Sequence, residues 1–207
     1  MKSRQELLSL LVERAFRYSP ERPFRLASGV SSPYYIDCKQ VTLVPRGMRL
    51  IGELFFEEIS ALAPGAVGGV VTGASPVTDA IVYTSELQNK PIRGFYVRKD
   101  PKKHGTERLV EGINENETAQ VVIVDDVITS GGSILAGIEK LLAFDRHIEI
   151  QRIIVLVDRQ EGGAELLRSK GFQFSAFFTK SELRDAYSER KTFEDPACRI
   201  DQHQVAL

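Results

Sequence analysis

Val121-Val-Ile-Val-Asp-Asp-Val-Ile-Thr-Ser-Gly-Gly-Ser133 is the stretch on which the reading of this chain turns. Its first four residues are apolar without alternation, the pattern of a strand buried on both faces of a parallel sheet. Two adjacent carboxylates, Asp125 and Asp126, end that run, and a short loop rich in hydroxyls and glycines leads into helical periodicity from Gly132. Glycines let backbone N–H groups curl toward an anion, Thr129, Ser130 and Ser133 can donate, and a helix N-terminus adds a favourable dipole. The segment therefore predicts a monophosphate cradle, with the two acids beside it as acceptors for sugar hydroxyls. Acids after a strand also serve as turn and helix-cap residues, and from these residues alone both readings stand.

Neighbouring possibilities fall away on spacing. No lysine follows the glycines, so a G-x-x-x-x-G-K-[ST] nucleotide loop is excluded, and no G-x-G-x-x-G occurs. Gly73-Ala-Ser-Pro-Val77 is not a G-x-S-x-G nucleophile elbow, because Val77 fills the last glycine position. His104, His147 and His203 lack H-E-x-x-H or other ligand spacing, which speaks against a zinc site.

Outward from this centre the chain alternates. Val67–Val71, Ile92–Val97, Gln120–Val124, Glu149–Val157 and Phe172–Phe178 read as strands, and Pro76–Leu87, Gly132–Phe144 and Ala164–Lys170 as helices. Upstream, Met48, Ile51, Leu54, Phe55, Ile59 and Leu62 recur at helical spacing until Pro64-Gly65 stops them. Tyr18-Ser-Pro-Glu-Arg-Pro23 breaks an amphipathic first helix, and Phe24 to Ile36 reads as a small hairpin. The segment after Lys191 is polar, contains Pro196 and carries no readable periodicity. This order predicts an α/β sheet whose chemistry lies beyond the carboxyl ends of its strands, after Val71, Val97, Val124 and Val157.

Composition bounds the function classes. With 207 residues, 43% hydrophobic and 27% charged, the chain suits one globular domain. A formal net charge of −1 provides no protein-wide field for nucleic acid or an anionic membrane. The N-terminal apolar run is bracketed by Glu6 and Glu13, and no stretch approaches the roughly 18 apolar residues of a membrane span. Cys38 and Cys198 are too few for a disulfide framework, and a cytoplasmic location is expected.

The Val121–Ser133 pattern resembles the motif with which type I phosphoribosyltransferases bind phosphoribosyl pyrophosphate (PRPP). The resemblance implies that Asp125 and Asp126 face the ribose 2′ and 3′ hydroxyls. It implies further that Val127, Ile128, Thr129, Ser130, Gly131, Gly132 and Ser133 hold the 5-phosphate. Tyr96-Val-Arg-Lys-Asp-Pro-Lys-Lys-His-Gly-Thr-Glu-Arg-Leu-Val-Glu-Gly112, on its residues alone either a solvated charged loop or a clamp for pyrophosphate, is similar to the catalytic loop of the orotate phosphoribosyltransferases. By that likeness Arg98, Lys99, Lys102 and His104 contact pyrophosphate, Lys102, His104 and Arg98 are catalytic, and Lys102 and His104 act across a homodimer interface.

Phe24-Arg-Leu-Ala-Ser-Gly-Val-Ser-Ser-Pro-Tyr-Tyr-Ile-Asp37 resembles the hood of the same family. Tyr34 and Tyr35 would face the planar base there, though tyrosines in a hairpin also serve simply as packing. Arg159, in Asp158-Arg-Gln-Glu-Gly162, would meet the orotate carboxylate, with Thr129 also at the base. Thr72-Gly-Ala-Ser75 takes the place of the family's pyrophosphate turn, without the lysine that some members carry near Gly73. Ala27 stands where many members have a lysine, and Lys39 is the nearby cation that can substitute.

Taken together, the resemblance implies a type I phosphoribosyltransferase fold, a central parallel sheet flanked by helices with a small N-terminal hood. It implies a single domain over 1–207, with the hood mainly in about 1–45, the core in about 46–180 and a C-terminal tail in 181–207. The implied reaction joins orotate to PRPP, giving orotidine 5′-monophosphate and pyrophosphate in pyrimidine (UMP) biosynthesis. Mg²⁺ is expected to bind mainly through substrate oxygens rather than a protein metal site. The rival readings are a PRPP-sensing regulator and an enzyme of this fold acting on another base. Lys102 and His104 in an intact loop, with no added DNA-binding segment, favour the enzyme, and Arg159 favours orotate over purines.

Overall fold

The computed structural model describes residues 2–25, 31–100 and 108–194. Along the chain run α1 (Lys2–Arg14), β1 (Phe16–Tyr18), β2 (Phe24–Arg25), β3 (Ser31–Ser32), β4 (Tyr34–Ile36), α2 (Lys39–Thr42) and α3 (Pro45–Ser60). Next come β5 (Ala66–Val70), α4 (Ala74–Leu87), β6 (Arg93–Val97), β7 (Val110–Glu111), β8 (Gln120–Ile128) and α5 (Gly132–Phe144). The last elements are β9 (Glu149–Asp158), α6 (Gly163–Ser169), β10 (Phe174–Thr179) and α7 (Lys180–Glu194).

Six strands form one sheet in the order β10-β9-β8-β5-β6-β7. The first five are mutually parallel, and β7 pairs antiparallel with β6 at the edge, so the sheet is mixed rather than wholly parallel. Alternate residues of each inner strand serve opposite cores. Val122 and Val124 of β8 and Ile154 and Leu156 of β9 pack with α1, α3 and α4 on one side. Val121, Ile123, Ile153 and Val155 pack with Ile134, Ile138 and Leu141 of α5 on the other. Continuous apolar runs are what such two-sided burial demands, each Val or Ile contributing roughly 1.5–3 kcal/mol.

Topology places the crevice. From β5 the chain crosses by α4 to β6 on one side, and from β8 it crosses by α5 to β9 on the other, so the strand order reverses between β5 and β8. Register opens that boundary further. Pairing of β5 with β8 ends at Gly68↔Ile123, whereas pairing of β8 with β9 continues to Ile128↔Asp158. The last residues of β8 thus have a neighbour on one side only, and the chain leaving β5 is free to turn over them.

Four features depart from the sequence reading. Strand β8 runs through both acids to Ile128 instead of ending before them, because β9 is long enough to pair with it throughout. The hairpin expected over Phe24–Ile36 is two small antiparallel pairs, β2 with β3 and β4 with the unforeseen β1. Residues 180–194 form α7, in which Leu183 is fully buried and Ala186 and Tyr187 follow at helical spacing. Helix α1, counted with the hood in the sequence reading, packs against α3 and α7 with Leu7 and Leu11 fully buried.

Candidate active site

Asp125 and Asp126 stand side by side on β8 at the strand-order reversal, 7% and 3% exposed. The backbone N–H of Asp126 donates to Asp125 Oδ1 at 3.0 Å, which ties the pair together. Above them passes the turn from β5 to α4. A Cβ added at Gly73 would come within 2.6 Å of Oδ1 of each acid, so only glycine lets this backbone lie directly over the carboxylates. From the other flank, Lys39 at the start of α2 places Nζ 3.4 Å from Asp126 Oδ2.

Burial and the neighbouring charge of Asp126 push the Asp125 carboxyl up to about 8, against the opposing pull of Lys39. The ammonium of Lys39 is shifted in the complementary sense, raised chiefly by the charge of Asp126. Buried carboxylates so placed can accept hydroxyl donors from a ligand entering the crevice.

The glycine loop follows without a break. Gly131 takes the left-handed conformation at φ 79°, which turns the chain from β8 into α5, and no side chain caps that helix. Ser130, Gly132 and Ser133 are exposed at its mouth, donors available to an anion. Val127 and Ile128, expected in the cradle, lie instead within strand β8, and Ile128 is 1% exposed in the core below α5. Their side chains serve packing, and Ser130, Gly132 and Ser133 are the exposed residues of the segment.

Arg159 leaves β9 next to this loop, its backbone N–H donating to Ile128 O at 3.0 Å. Its side chain is only 12% exposed and pairs with Glu161 at 2.9 Å. Its Nε is buried with no hydrogen-bond partner among the described residues, a donor position that a planar anion could fill. Gln160 links the same turn to α7, its Oε1 accepting from the Ser181 N–H at 3.0 Å and hydroxyl at 2.7 Å.

Arg98 and Lys99 emerge from β6 at the same carboxyl edge. Arg98 grips Glu111 of β7 through Nε and Nη2 at 2.9 and 3.2 Å, and the charge and hydrogen bonds of Glu111 raise its basicity further. Lys102 and His104 lie outside the described residues. The two hood tyrosines part company. Tyr34 stacks on Tyr18 with centroids 5.0 Å apart and also meets Phe16, whereas Tyr35 stays 41% exposed beside Phe24.

Sequence reasoning did not foresee the approach of Gly73 to the acids or the hold of Glu111 on Arg98. Both depend on sheet register, which spacing does not carry. In the sequence Lys39 stands out only for its nearness to Ala27, and the structure adds its contact with Asp126 across 87 residues of chain.

Comparison with known proteins fits this geometry. The family model described as the phosphoribosyl transferase domain matches residues 39–175. An orotate phosphoribosyltransferase of Nostoc sp. is 40% identical over 186 residues, covering 90% of this chain and 87% of the relative. That of Aquifex aeolicus is 37% identical, covering 88% and 98%. Among solved structures, orotate phosphoribosyltransferase of Mycobacterium tuberculosis H37Rv in complex with Fe(III) dicitrate superposes with a TM-score of 0.75 at 31% identity, covering 87% of this chain and 98% of that one. The same enzyme in complex with PRPP gives a TM-score of 0.72 at 28% identity, with the same coverage. A type I phosphoribosyltransferase sheet, a glycine loop opening on buried acids and relatives matched over most of their length converge: the chain belongs to the phosphoribosyltransferase family, among the orotate phosphoribosyltransferases.

Proposed function

We propose that this protein transfers the ribose 5-phosphate of PRPP to N1 of orotate, releasing pyrophosphate, as the nucleotide-forming step of pyrimidine (UMP) biosynthesis. The observation that carries the reading is the buried Asp125–Asp126 pair at the strand-order reversal, with Gly73 over it and the exposed donors of 130–133 beyond it. A sugar phosphate fits that arrangement in one direction, hydroxyls on the acids and phosphate on the helix mouth.

In this reading the acids accept hydrogen bonds from the ribose 2′ and 3′ hydroxyls, and Thr129 to Ser133 hold the 5-phosphate. Arg159 meets the orotate carboxylate through its unpartnered Nε, with Thr129 and Tyr35 beside the base. Bond breaking at the anomeric carbon has dissociative, oxocarbenium-like character, as in other glycosyl transfers. Charge accumulates on the departing pyrophosphate, and Arg98, Lys99, Lys102 and His104 neutralise it as the bond lengthens.

Mg²⁺ would be held mainly by oxygens of PRPP. Among the described residues no three His, Cys, Asp or Glu side chains gather, and a lone pair of hard carboxylates suits a cation that arrives on phosphate and keeps its waters. When bound, the ion adds to charge neutralisation on pyrophosphate. A homodimer with Lys102 and His104 shared across the interface belongs to the same reading, and Tyr83 and Leu87, one turn apart on α4, are 68% and 61% exposed apolar groups for such a contact. We place the protein in the cytoplasm: Cys38 is a buried free thiol, and no described helix is long and apolar enough to cross a membrane.

The test mixes purified protein with PRPP and Mg²⁺ and follows orotate absorbance, with uracil and adenine as competing bases. Orotate consumption that requires PRPP supports the proposal. Folded protein that binds PRPP without consuming orotate would instead support a PRPP-sensing regulator.

A further inference from the structure

The root of the basic loop is held by a lysine from the helix that opens on the glycine loop. Lys140 lies in the third turn of α5, and its Nζ donates to the carbonyl of Arg98 at 3.3 Å and to that of Lys99. Strand β6 ends at Val97, and beyond it, among the described residues, the backbone gives these two residues one bond, from the Arg98 N–H to Leu109 O at 2.8 Å. Beyond that bond, the direction in which Arg98 and Lys99 point depends on two side-chain anchors. Glu111 grips the Arg98 guanidinium, and Lys140 fixes the carbonyls of two successive peptide units, Arg98–Lys99 and Lys99–Asp100.

The ammonium of Lys140 is engaged by backbone carbonyls although it is half-buried and water could solvate it. Two charge-assisted bonds to consecutive carbonyls orient the chain, because each carbonyl direction fixes the peptide plane that carries the next Cα. The helix supplying them begins at Gly132, where the 5-phosphate cradle lies. One rigid element therefore spans the place for one end of the substrate and the root of the cations meant for the other.

We propose that Lys140 is a positioning residue for pyrophosphate: by holding the carbonyls of Arg98 and Lys99 it sets those cations at a defined distance from the phosphate cradle on its own helix. The inference rests on the reading of Arg98 and Lys99 as pyrophosphate contacts. Lys140 touches neither substrate, so its removal acts on one end of PRPP only.

The experiment compares Lys140→Met, which keeps an apolar stem without donors, and Lys140→Arg with the unaltered protein. Steady-state kinetics are measured together with inhibition by pyrophosphate and by ribose 5-phosphate, and thermal unfolding reports folding. Lys140→Met is expected to weaken pyrophosphate inhibition and raise the KM for PRPP by about five-fold or more, the size of one lost hydrogen bond. Ribose 5-phosphate inhibition and the KM for orotate stay unchanged, and Lys140→Arg, which retains donors, restores most of the loss. Unchanged pyrophosphate inhibition in folded Lys140→Met overturns the inference, as does an equal loss for ribose 5-phosphate, which would mean a general distortion of α5. Should the methionine variant not fold, Lys140→Arg and Lys140→Gln are read against each other by the same inhibition ratio. Arg98→Ala and Lys99→Ala, run alongside, separate the failures. If both leave pyrophosphate inhibition intact, the underlying reading falls and this inference with it. If they weaken it while Lys140→Met does not, only the role of Lys140 falls.

Discussion

The carboxyl ends of β8 and β6 carry opposite charges and are built in opposite ways. At β8, Asp125 and Asp126 are part of the sheet, buried, paired along β9 and covered by Gly73. At β6, Arg98 and Lys99 have already left the sheet, and side chains from β7 and α5 hold their root. Groups that must accept hydroxyls at fixed positions gain from a rigid strand. Groups that must cover a leaving anion and then release it gain from a loop tied at its base. The acids are thus set by packing and the cations by a few polar contacts, and the two ends should respond differently to mutation.

The largest expected effect lies at the loop. Lys102→Ala should lower kcat by about 10²-fold or more with the fold intact, because it removes a cation whose main use is in the transition state. Comparable kcat in the variant and the parent would remove Lys102 from the chemistry. Next in size is Lys39→Met, which strips the only cation seen beside the buried acids among the described residues. PRPP affinity should fall by roughly ten-fold, and the pH at which binding sets in should rise, since Asp125 then ionises without a neighbouring ammonium. Lys39→Arg should keep most of both, and a pH profile that ignores the methionine change would separate Lys39 from the acid pair.

A third expectation concerns stability. The folded pKa of Asp125 is raised to about 8, so the folded chain binds this proton more tightly than the unfolded one. The stability tied to it is complete below the ordinary carboxylate range near pH 4 and is lost as pH rises toward 8, by on the order of 1 kcal/mol per pH unit at most. Asp125→Asn keeps an acceptor for the Asp126 N–H and removes the charge. Its Tm should therefore gain on the parent from pH 5 to pH 9, and a gap that shrinks over that range would contradict the burial argument. The smallest effect is at the hood: Tyr34→Phe, which leaves the aromatic stack in place, should change the KM for orotate by less than about two-fold, whereas Tyr35→Ala should raise it several-fold. Equal responses would mean that the two tyrosines do not divide as their exposure implies.

Sheet order was legible where apolar runs are long. Val121–Val124 and Ile153–Val157 are apolar on both faces and allow few other readings, and Gly132–Phe144 matches α5 end to end. The family pattern in Val121–Ser133 supplied the candidate acids and glycines. Less was legible where structure depends on long-range partners. Strand β1 exists only because Phe16 to Tyr18 find Ile36 to Tyr34, and α7 shows weak periodicity because much of its surface is charged. The span of β8 through Asp125 and Asp126 was hidden because acids are poor strand formers, and the long neighbour β9 overrides that preference. Lys140 carried no trace in sequence, lying more than 40 residues from the carbonyls it holds, by separations of 42 and 41.

The most direct test of the account is PRPP titration, with Mg²⁺ present and at pH 9, where Asp125 is ionised, of the folded Asp125→Asn and Asp126→Asn variants. If the acids accept ribose hydroxyls, each variant should bind PRPP about ten-fold more weakly or worse, through loss of charge-assisted hydrogen bonds, while thermal unfolding shows an intact fold. Affinity equal to the parent's in both variants would contradict the account and leave Asp125 and Asp126 as structural residues of β8.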